Sequence, residues 1–347
     1  MKTFKNEKTI IIGNLKIGNN YRPKIIAEGC DNHFGKLNRA LKMVSAAKKA
    51  GADIIKFQHH LPDEEMLPVV PKSKNFNLSL YEFLKKYALK LEDHIKIKKK
   101  CESIGIQYLC TPFSLKAALE LKKIGVDAFK IGSGEMTDIP SLKEIAKFNL
   151  PLIISTGMSQ LDEIKYTYKN IVKINKKLIF MNCTSEYPPI YKDINLKVIP
   201  VLKKMLSKAL IGHSDHSSSL VTSYGAVTLG AVIIEKHVAL DKNDGPDSAV
   251  SISFQELADM IKNIKNLYFA LGDKKKINPR EKQIRKWAFR SIISLRRIKK
   301  GEKITKSMIW SKRPGTGIPS KKMNEIIGRE AKSDIPQNSL IKWSQLL

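Results

Sequence analysis

Polar and charged residues follow a series of short apolar runs through much of this 347-residue chain. Each can carry charge or form hydrogen bonds: Glu28, Lys56, Gln58, Thr111, Lys130, Ser133, Asn182, Ser214 and Glu235. The two lysines supply positive charge, and the hydroxyl and amide groups supply neutral donors, which together suit one strongly anionic ligand. A serine backbone N–H at the start of a helix also suits a phosphate. The pattern therefore predicts a site for an anionic, phosphate-bearing substrate.

Two histidines follow the last two of these runs, His216 in the stretch GHSDH and His237 in IIEKH. On adjacent strands, their imidazoles can converge. Two neutral imidazoles, completed by water and substrate oxygens, make an open divalent-metal site that can activate a carbonyl as a Lewis acid. The residues alone leave a second interpretation equally open, in which the two rings form hydrogen bonds and no metal is present.

The elements that must position these residues repeat with a β-then-α rhythm. Eight apolar runs of the buried parallel-strand type lie at residues 24–28, 53–58, 106–111, 127–132, 151–156, 177–182, 209–214 and 231–237. Amphipathic helical patterns separate them, for example at residues 37–51, ending at Gly51, and at 141–149. Eight such units predict an α/β fold, a (β/α)8 TIM barrel with its chemistry at the strand C-termini. The competing open, doubly wound sheet is weakened because no GxGxxG follows the first run.

Four segments depart from this repeat. Residues 8–20 predict a β-hairpin before the barrel, and residues 59–94 form a long insertion of the kind that carries function in barrels. Residues 272–290 are basic and lack apolar periodicity, which indicates a linker. Residues 291–347 combine short strands with tight turns and predict a small, mainly β domain. We therefore expect a catalytic barrel at residues 1–271, a linker, and a separate C-terminal domain.

Composition narrows the class of protein. The 62 Lys and Arg residues against 33 Asp and Glu give a net charge of +29, but only nine of the basic residues are Arg, and aromatic residues make up 7%. Scarce arginine and aromatic residues argue against nucleic acid as a partner. Four cysteines in a chain of this length argue against a disulfide framework. With no long apolar run, we expect a cytoplasmic protein without a membrane-spanning segment.

Taken together, the stretches IIAEGCDNHFG, GADIIKFQ, CTPFS, FKIGSGE, ISTGM, NCTSEYPP, IGHSDH, IIEKH and GPD occur in the order found in the sialic acid synthases. The chain resembles that family over most of its length. The tail, with RSIISLRRIKKGE and KRPGTGI, is similar to the antifreeze-like, or SAF, domain that follows the barrel in these enzymes. The resemblance implies condensation of phosphoenolpyruvate with an N-acylated hexose. C3 of phosphoenolpyruvate attacks the aldehyde carbon of the open-chain sugar, and phosphate leaves by C–O cleavage.

The resemblance also implies roles for individual residues. Lys56, Thr111, Lys130, Ser133, Asn182 and Ser214 bind phosphoenolpyruvate, with Gln58 and Tyr187 also among the substrate-binding residues. His216 and His237 hold a divalent metal, for which Mn2+ is the first choice and Mg2+ or Co2+ are alternatives. Glu28 and Glu235 line the site, either to handle protons or to orient hydroxyls, and Asp247 contacts a sugar hydroxyl. Arg313 contacts the acylamino group from the partner subunit of a domain-swapped homodimer.

One stretch departs from the family. The first motif reads GCDNHFG, where an Ile-Gly pair more often precedes the Asn-His, so Cys30 and Asp31 are substitutions. The acceptor is a second open point: N-acetylmannosamine, giving N-acetylneuraminate, is the first choice, and the diacetamido hexoses that lead to legionaminic or pseudaminic acid are the alternative. Two rivals remain. One is a 3-deoxy-heptulosonate-type aldolase that acts on a phosphorylated aldehyde, and the other is an inactive basic barrel that binds nucleic acid or another polyanion.

Overall fold

The computed structural model describes residues 8–69 and 78–347. Residues 70–77 of the predicted 59–94 insertion lie outside the described residues. The chain divides into two compact units, Met1–Leu271 and Gly272–Leu347. No helix in the described part of the chain is long and apolar enough to cross a membrane.

The strands of the first unit build a closed barrel behind a small hairpin. They are β1 Ile10–Ile12, β2 Leu15–Ile17, β3 Lys24–Glu28, β4 Ile54–His59, β5 Gln107–Pro112, β6 Phe129–Ile131, β7 Leu152–Ser155, β8 Leu178–Cys183, β9 Leu210–Asp215, β10 Ile233–Ala239 and β11 Ile252–Ser253. β3 to β10 pair in chain order, all parallel, and β10 pairs with both β9 and β3. This closure confirms the predicted (β/α)8 barrel and excludes the open doubly wound sheet.

Helices alternate with the strands, and most of them pack on the outside of the barrel. They are α1 Leu37–Ala50, α2 Pro62–Glu65, α3 Leu80–Tyr87, α4 Leu91–Ile104, α5 Leu115–Lys123, α6 Ile139–Lys147, α7 Leu161–Ile171, α8 Val198–Met205, α9 Val221–Thr228 and α10 Phe254–Ala270. Their ends follow the sequence signals. Gly51 closes α1 in the left-handed conformation at φ 90°, and the Asp138 side chain accepts a hydrogen bond from the Ser141 N–H at the start of α6. α2 and α3 lie within the described parts of the insertion.

Side chains of the barrel strands alternate between an inner and an outer face. The outer face packs against the helices in one large apolar cluster that includes Ala27, Phe57 and Phe180. The inner face is apolar near the strand starts, where residues such as Ile26 and Ile54 pack with Ile10, Ile12 and Ile17 of the β1–β2 hairpin. The hairpin therefore closes the N-terminal end of the barrel.

The second unit has its own apolar core. β12 Ser291–Ser294 and β13 Ile309–Lys312 pair antiparallel, and α12 Met323–Ile326 follows them. Ile292, Ile309 and Ile326 belong to a cluster of buried residues confined to this unit. The strand-rich C-terminal domain expected from the sequence is thus present. The segment predicted as a linker also contains a helix, α11 Pro279–Ala288, whose first turn is closed by a capping box between Asn278 and Glu281.

Candidate active site

A cavity of about 510 Å³ opens at the C-terminal end of the barrel strands. It brings together residues that are far apart in the sequence and that the sequence predicts as site residues: Lys56, Gln58, Thr111, Lys130, Ser133, Tyr187, Ser214, His216, Glu235 and His237. TIM-barrel enzymes carry their catalytic residues at the C-terminal end of the strands. The cavity is therefore the candidate active site.

Two buried lysines and two buried glutamates form a network at its floor. Lys56 Nζ lies 2.8 Å from Glu28 Oε2 and 2.9 Å from Glu235 Oε2. Lys130 Nζ lies 3.3 Å from Glu235 Oε1 and 2.7 Å from the Ser155 hydroxyl. All four charged side chains are almost completely buried. The charges balance two against two, so an entering anion must compete with the carboxylates for the lysines.

Burial and charge pull the pKa values of these groups in opposite directions. Burial lowers the pKa of Lys56 to about 7, although the Glu235 carboxylate opposes the change. Burial alone would raise the pKa of Glu235, but the Lys130 and Lys56 ammonium groups hold it well below its usual range. Glu235 is therefore a carboxylate across the neutral range, while Lys56 exchanges its proton near neutrality. A bound anion next to Lys56 favours the ammonium form.

Neutral donors surround the lysines. The Ser214 hydroxyl donates to Glu235 Oε1 over 3.0 Å, and the Ser133 hydroxyl accepts a hydrogen bond from the Gly157 N–H over 3.1 Å. The buried Thr111 hydroxyl has no hydrogen-bond partner among the described residues. A Cβ at Gly157 would lie 2.1 Å from the Ser185 hydroxyl, so a glycine is needed for this close approach. The arrangement leaves donors available for the oxygens of an anionic ligand.

His216 and His237 face each other across the cavity with Tyr187. The two imidazole centroids are 5.1 Å apart, and the Tyr187 ring stacks on His216 at 4.2 Å. His216 Nδ1 lies 2.8 Å from the Thr184 carbonyl, which fixes the proton on Nδ1 and leaves Nε2 as an acceptor. Nε2 lies 3.2 Å from the Tyr187 hydroxyl, and His237 Nδ1 has no partner in the described ranges. Orientation of one imidazole nitrogen by a backbone carbonyl is typical of a metal-ligating histidine.

A group of possible metal ligands includes His237. One ligand atom each from Cys30, His237 and Asp247 lie within 4.8 Å of one another. Cys30 and His237 are buried. Thiolate, imidazole and carboxylate are all donors for divalent transition metals. This donor set, with the unpartnered nitrogen of His237, fits a divalent metal, and it places Asp247 beside the site.

Three predicted residues of the barrel unit are not among those that line the cavity: Glu28, Asn182 and Asp247. Glu28 forms an ion pair with Lys56. Gln58, which does line the cavity, donates a hydrogen bond to Cys30 Sγ over 3.0 Å. Asn182 lies on the outer phase of β8 and donates to the Ile194 carbonyl over 3.3 Å. Arg313 belongs to the second unit, where its Nε donates to the Ala288 carbonyl and its guanidinium lies 5.8 Å from the Trp287 ring centroid.

Several lining residues were not identified from the sequence. Ser155 is a polar residue at the end of β7, so this strand also ends in a side chain that lines the cavity. Cys183 lies in the inner phase of β8, next to Asn182. Glu135 also lines the cavity, and burial raises the pKa of its carboxyl to about 7. Ser155 and Glu135 stand inside the quoted stretches ISTGM and FKIGSGE, so the signal was present. Leu80 of α3 enters from the insertion, and no sequence pattern indicated it.

Asp215, which follows Ser214 in GHSDH, belongs to the outer face. Its Oδ2 accepts hydrogen bonds of 2.7 Å from both the Thr222 and Ser223 hydroxyls and lies 3.2 Å from Lys236 Nζ. Burial would raise the pKa of Asp215, but the Lys236 ammonium and the hydroxyl donors lower it to about 2. The residue therefore anchors α9 to the barrel as a carboxylate.

Replacing Asp215 with Ala is expected to destabilise the barrel by about 3–5 kcal/mol, because the buried Lys236 ammonium then has no countercharge. The thermal unfolding midpoint should fall by roughly 6–20 °C. The double variant Asp215→Ala, Lys236→Met removes both charges and should recover most of the loss. An unchanged midpoint in the single variant would contradict the structural role.

Comparison with known proteins gives this site a family. A model of the NeuB family matches residues 43–276, and a model of the SAF domain matches residues 289–347. The chain is 35% identical over 329 residues to N,N'-diacetyllegionaminic acid synthase of Campylobacter jejuni, over 92% of this chain and 98% of the relative. It is 36% identical over 345 residues to a pseudaminic acid synthase of the same species, over 95% of this chain and 99% of the relative.

A solved structure agrees with these relatives. N-acetylneuraminic acid synthetase from Leptospira borgpetersenii superposes with a TM-score of 0.74 at 32% identity, covering 80% of this chain and 95% of that chain. The relatives are thus synthases of sialic, legionaminic and pseudaminic acids. The NeuB family model covers more than half of the chain, and all the residues that line the cavity lie within the matched range. The chain belongs to the NeuB family and carries a C-terminal SAF domain.

Proposed function

We propose that the protein condenses phosphoenolpyruvate with an N-acylated hexose to a nine-carbon nonulosonic acid and releases phosphate. The observation that carries the proposal is the meeting of Lys56 and Lys130 with His216 and His237 in one cavity. Cationic and hydroxyl donors suit the anionic substrate, and the imidazoles suit a metal that activates an aldehyde. The named relatives, all nonulosonic acid synthases, support the same reaction.

In this proposal the lysines exchange partners when substrate binds. Lys56 and Lys130 turn from Glu235 toward the phosphate and carboxylate of phosphoenolpyruvate, and Thr111, Ser133 and Ser214 donate to the remaining oxygens. Holding both reactants in line can supply ~7–11 kcal/mol of the barrier. Glu28 and Glu235, released from the lysines, are placed to orient sugar hydroxyls or to accept a proton.

The proposed metal is held by His216 and His237, with Mn2+ as the ion expected from the family resemblance. When bound, it supplies Lewis-acid polarisation of the aldehyde oxygen of the open-chain sugar. The chain contributes the orientation of the ligands, through the Thr184 carbonyl on His216 Nδ1. It also contributes Tyr187, whose ring stacks on His216 in the cavity lining.

The reaction itself is the first test. Phosphate release from phosphoenolpyruvate is expected only when both an N-acylated hexose and a divalent metal are present, and removal of the metal with a chelator should stop it. A phosphorylated aldehyde offered in competition tests the aldolase rival. Salt-sensitive nucleic-acid binding that survives replacement of His216 and Lys56, without turnover, would instead support the inactive basic barrel.

The names of the relatives favour a second candidate for the acceptor sugar, a diacetamido hexose. N-acetylmannosamine is the first choice, but the curated relatives at 35% and 36% identity are named for diacetyllegionaminic and pseudaminic acid. We therefore expect a panel of N-acetylmannosamine and the two diacetamido hexoses to give one acceptor whose kcat/KM exceeds the others by at least ~10-fold, since one missing or misplaced polar group costs a buried hydrogen bond. Equal rates with all three would contradict a pocket selective for the acylamino group.

A further inference from the structure

The loop after β3 holds Cys30 in an unusual backbone conformation. Its φ is 43°, in the left-handed region that residues other than glycine seldom adopt. The backbone N–H of Cys30 donates to Glu28 Oε1 over 2.9 Å, and Gln58 Nε2 donates to its sulfur over 3.0 Å. The Cys30 side chain is thus fixed in place from two sides. Strained positions of this kind occur where the surrounding structure imposes a particular side-chain direction.

That direction is toward His237 and Asp247. The sulfur, an imidazole nitrogen of His237 and a carboxylate oxygen of Asp247 lie within 4.8 Å of one another. Two ligands of one tetrahedral zinc-like ion, each bound at about 2.0–2.3 Å, lie about 3.3–3.8 Å apart. Side-chain movement of about 1 Å is therefore enough to bring the three donor atoms onto one ion. His237 is 4% exposed, and its Nδ1 has no hydrogen-bond partner within residues 8–69 and 78–347.

We propose that Cys30 is a metal ligand in this protein and shares one divalent ion with His237 and Asp247. The thiol loses its proton to solvent when the metal–sulfur bond forms, because the thiolate is the ligand. A thiolate is a soft donor, so the set selects Co2+, Zn2+ or Fe2+ over Mg2+ and Mn2+. The inference rests on the site of the proposed function but not on its reaction.

His216 lies next to His237 of this set. Its ring is 5.1 Å from that of His237, and its Nε2 lies 3.2 Å from the Tyr187 hydroxyl. It is available as a fourth ligand when Tyr187 moves. The donor set then has one sulfur, two nitrogens and one oxygen, of which only the sulfur distinguishes soft from hard ions.

The test uses the full chain freed of metal and titrated with Co2+. The wild-type protein should develop the near-ultraviolet thiolate-to-cobalt charge-transfer band together with the visible bands of bound Co2+. Cys30→Ser should lose the charge-transfer band and bind Co2+ at least ~10-fold more weakly, as expected for removal of a ligand. Its Mn2+ affinity should change by less than ~3-fold, since a hard ion gains little from sulfur.

Cys183→Ser is the matched control, because Cys183 is the other cysteine beside the cavity, with its sulfur 3.9 Å from His216 Nδ1. This variant should keep the charge-transfer band. A band that persists in Cys30→Ser, or that disappears in Cys183→Ser, would overturn the assignment. X-ray absorption of the zinc-loaded wild-type protein gives a check that needs no variant: one sulfur at about 2.3 Å is expected, and a shell of nitrogen and oxygen alone contradicts the proposal.

These readouts separate the inference from the proposed function. Sulfur ligation without turnover on any N-acylated hexose would leave the ligand assignment intact and count against the synthase. Turnover without sulfur ligation would do the reverse.

Discussion

Replacing Lys56 with Met is expected to lower kcat/KM for the proposed phosphate release by at least ~10³-fold. The wild-type ammonium stands between two carboxylates, 2.8 Å from Glu28 and 2.9 Å from Glu235. Without the Lys56 ammonium, the two carboxylates repel each other and the incoming anion. Of the two lysines at the floor of the cavity, Lys130 is then the one that remains. Loss of one buried charge-assisted contact to the transition state costs about 2.7–4 kcal/mol, and the unbalanced carboxylates add repulsion.

Instability must be separated from the catalytic effect, because removal of one member of a buried ion pair is itself destabilising by about 3–5 kcal/mol. The double variant Lys56→Met, Glu28→Gln removes one charge of each sign and should regain most of the thermal stability. It should not regain turnover, because the cation for the substrate is still missing. Recovery of activity in the double variant would show that Lys56 serves only the fold. Steady-state kinetics with thermal unfolding of all three proteins decides between the two.

The alternation of the strands explains which site residues could be predicted. Lys56, Lys130 and Ser214 share the inner phase of their strands with apolar residues of the barrel interior, Ile54, Ala128 and Leu210. The sequence identified all three. Asn182 and Asp215 stand one residue out of phase with Cys183 and Ser214. Because side chains alternate with a period of two, a shift of one residue moves a side chain from the cavity to the helix-covered face. Position at a strand end alone therefore does not place a side chain in the cavity; the side chain must also be in the inner phase.

The barrel was predictable because each strand contains a short run of buried apolar residues and several helices carry start or stop signals, such as Asp138 before α6 and Gly51 after α1. The meeting of Cys30, His237 and Asp247 was not, because it depends on the conformation of two loops that follow strands at opposite ends of the barrel sequence. Leu80, which lines the cavity from α3 of the insertion, was unpredictable for the same reason. Loop positions follow from contacts distant in the chain, which strand and helix patterns do not encode.

Replacing His237 with Ala is expected to lower turnover by at least ~10³-fold and to remove the bound metal. His237 is common to both sets of possible ligands, since its ring faces His216 and one of its nitrogens lies with Cys30 and Asp247. Lewis-acid activation of a carbonyl by the proposed metal is worth several kcal/mol, and it is lost when the ion is no longer held. The ring faces a cavity and not the apolar core, so the far-ultraviolet circular dichroism and the unfolding midpoint should change little.

His213→Gln provides the matched control on the neighbouring strand. His213 is as buried as His237, but it lies on the outer phase of β9, with Nδ1 3.0 Å from the Asn182 carbonyl. Its replacement should reduce stability while metal content and kcat stay close to those of the wild-type protein. Metal content, measured by elemental analysis, and turnover should therefore both fall in His237→Ala and both stay close to wild type in His213→Gln. Retention of metal and activity by His237→Ala would place the ion elsewhere and remove the imidazole pair from the reaction, because a ligand shared by both sets cannot be lost without consequence.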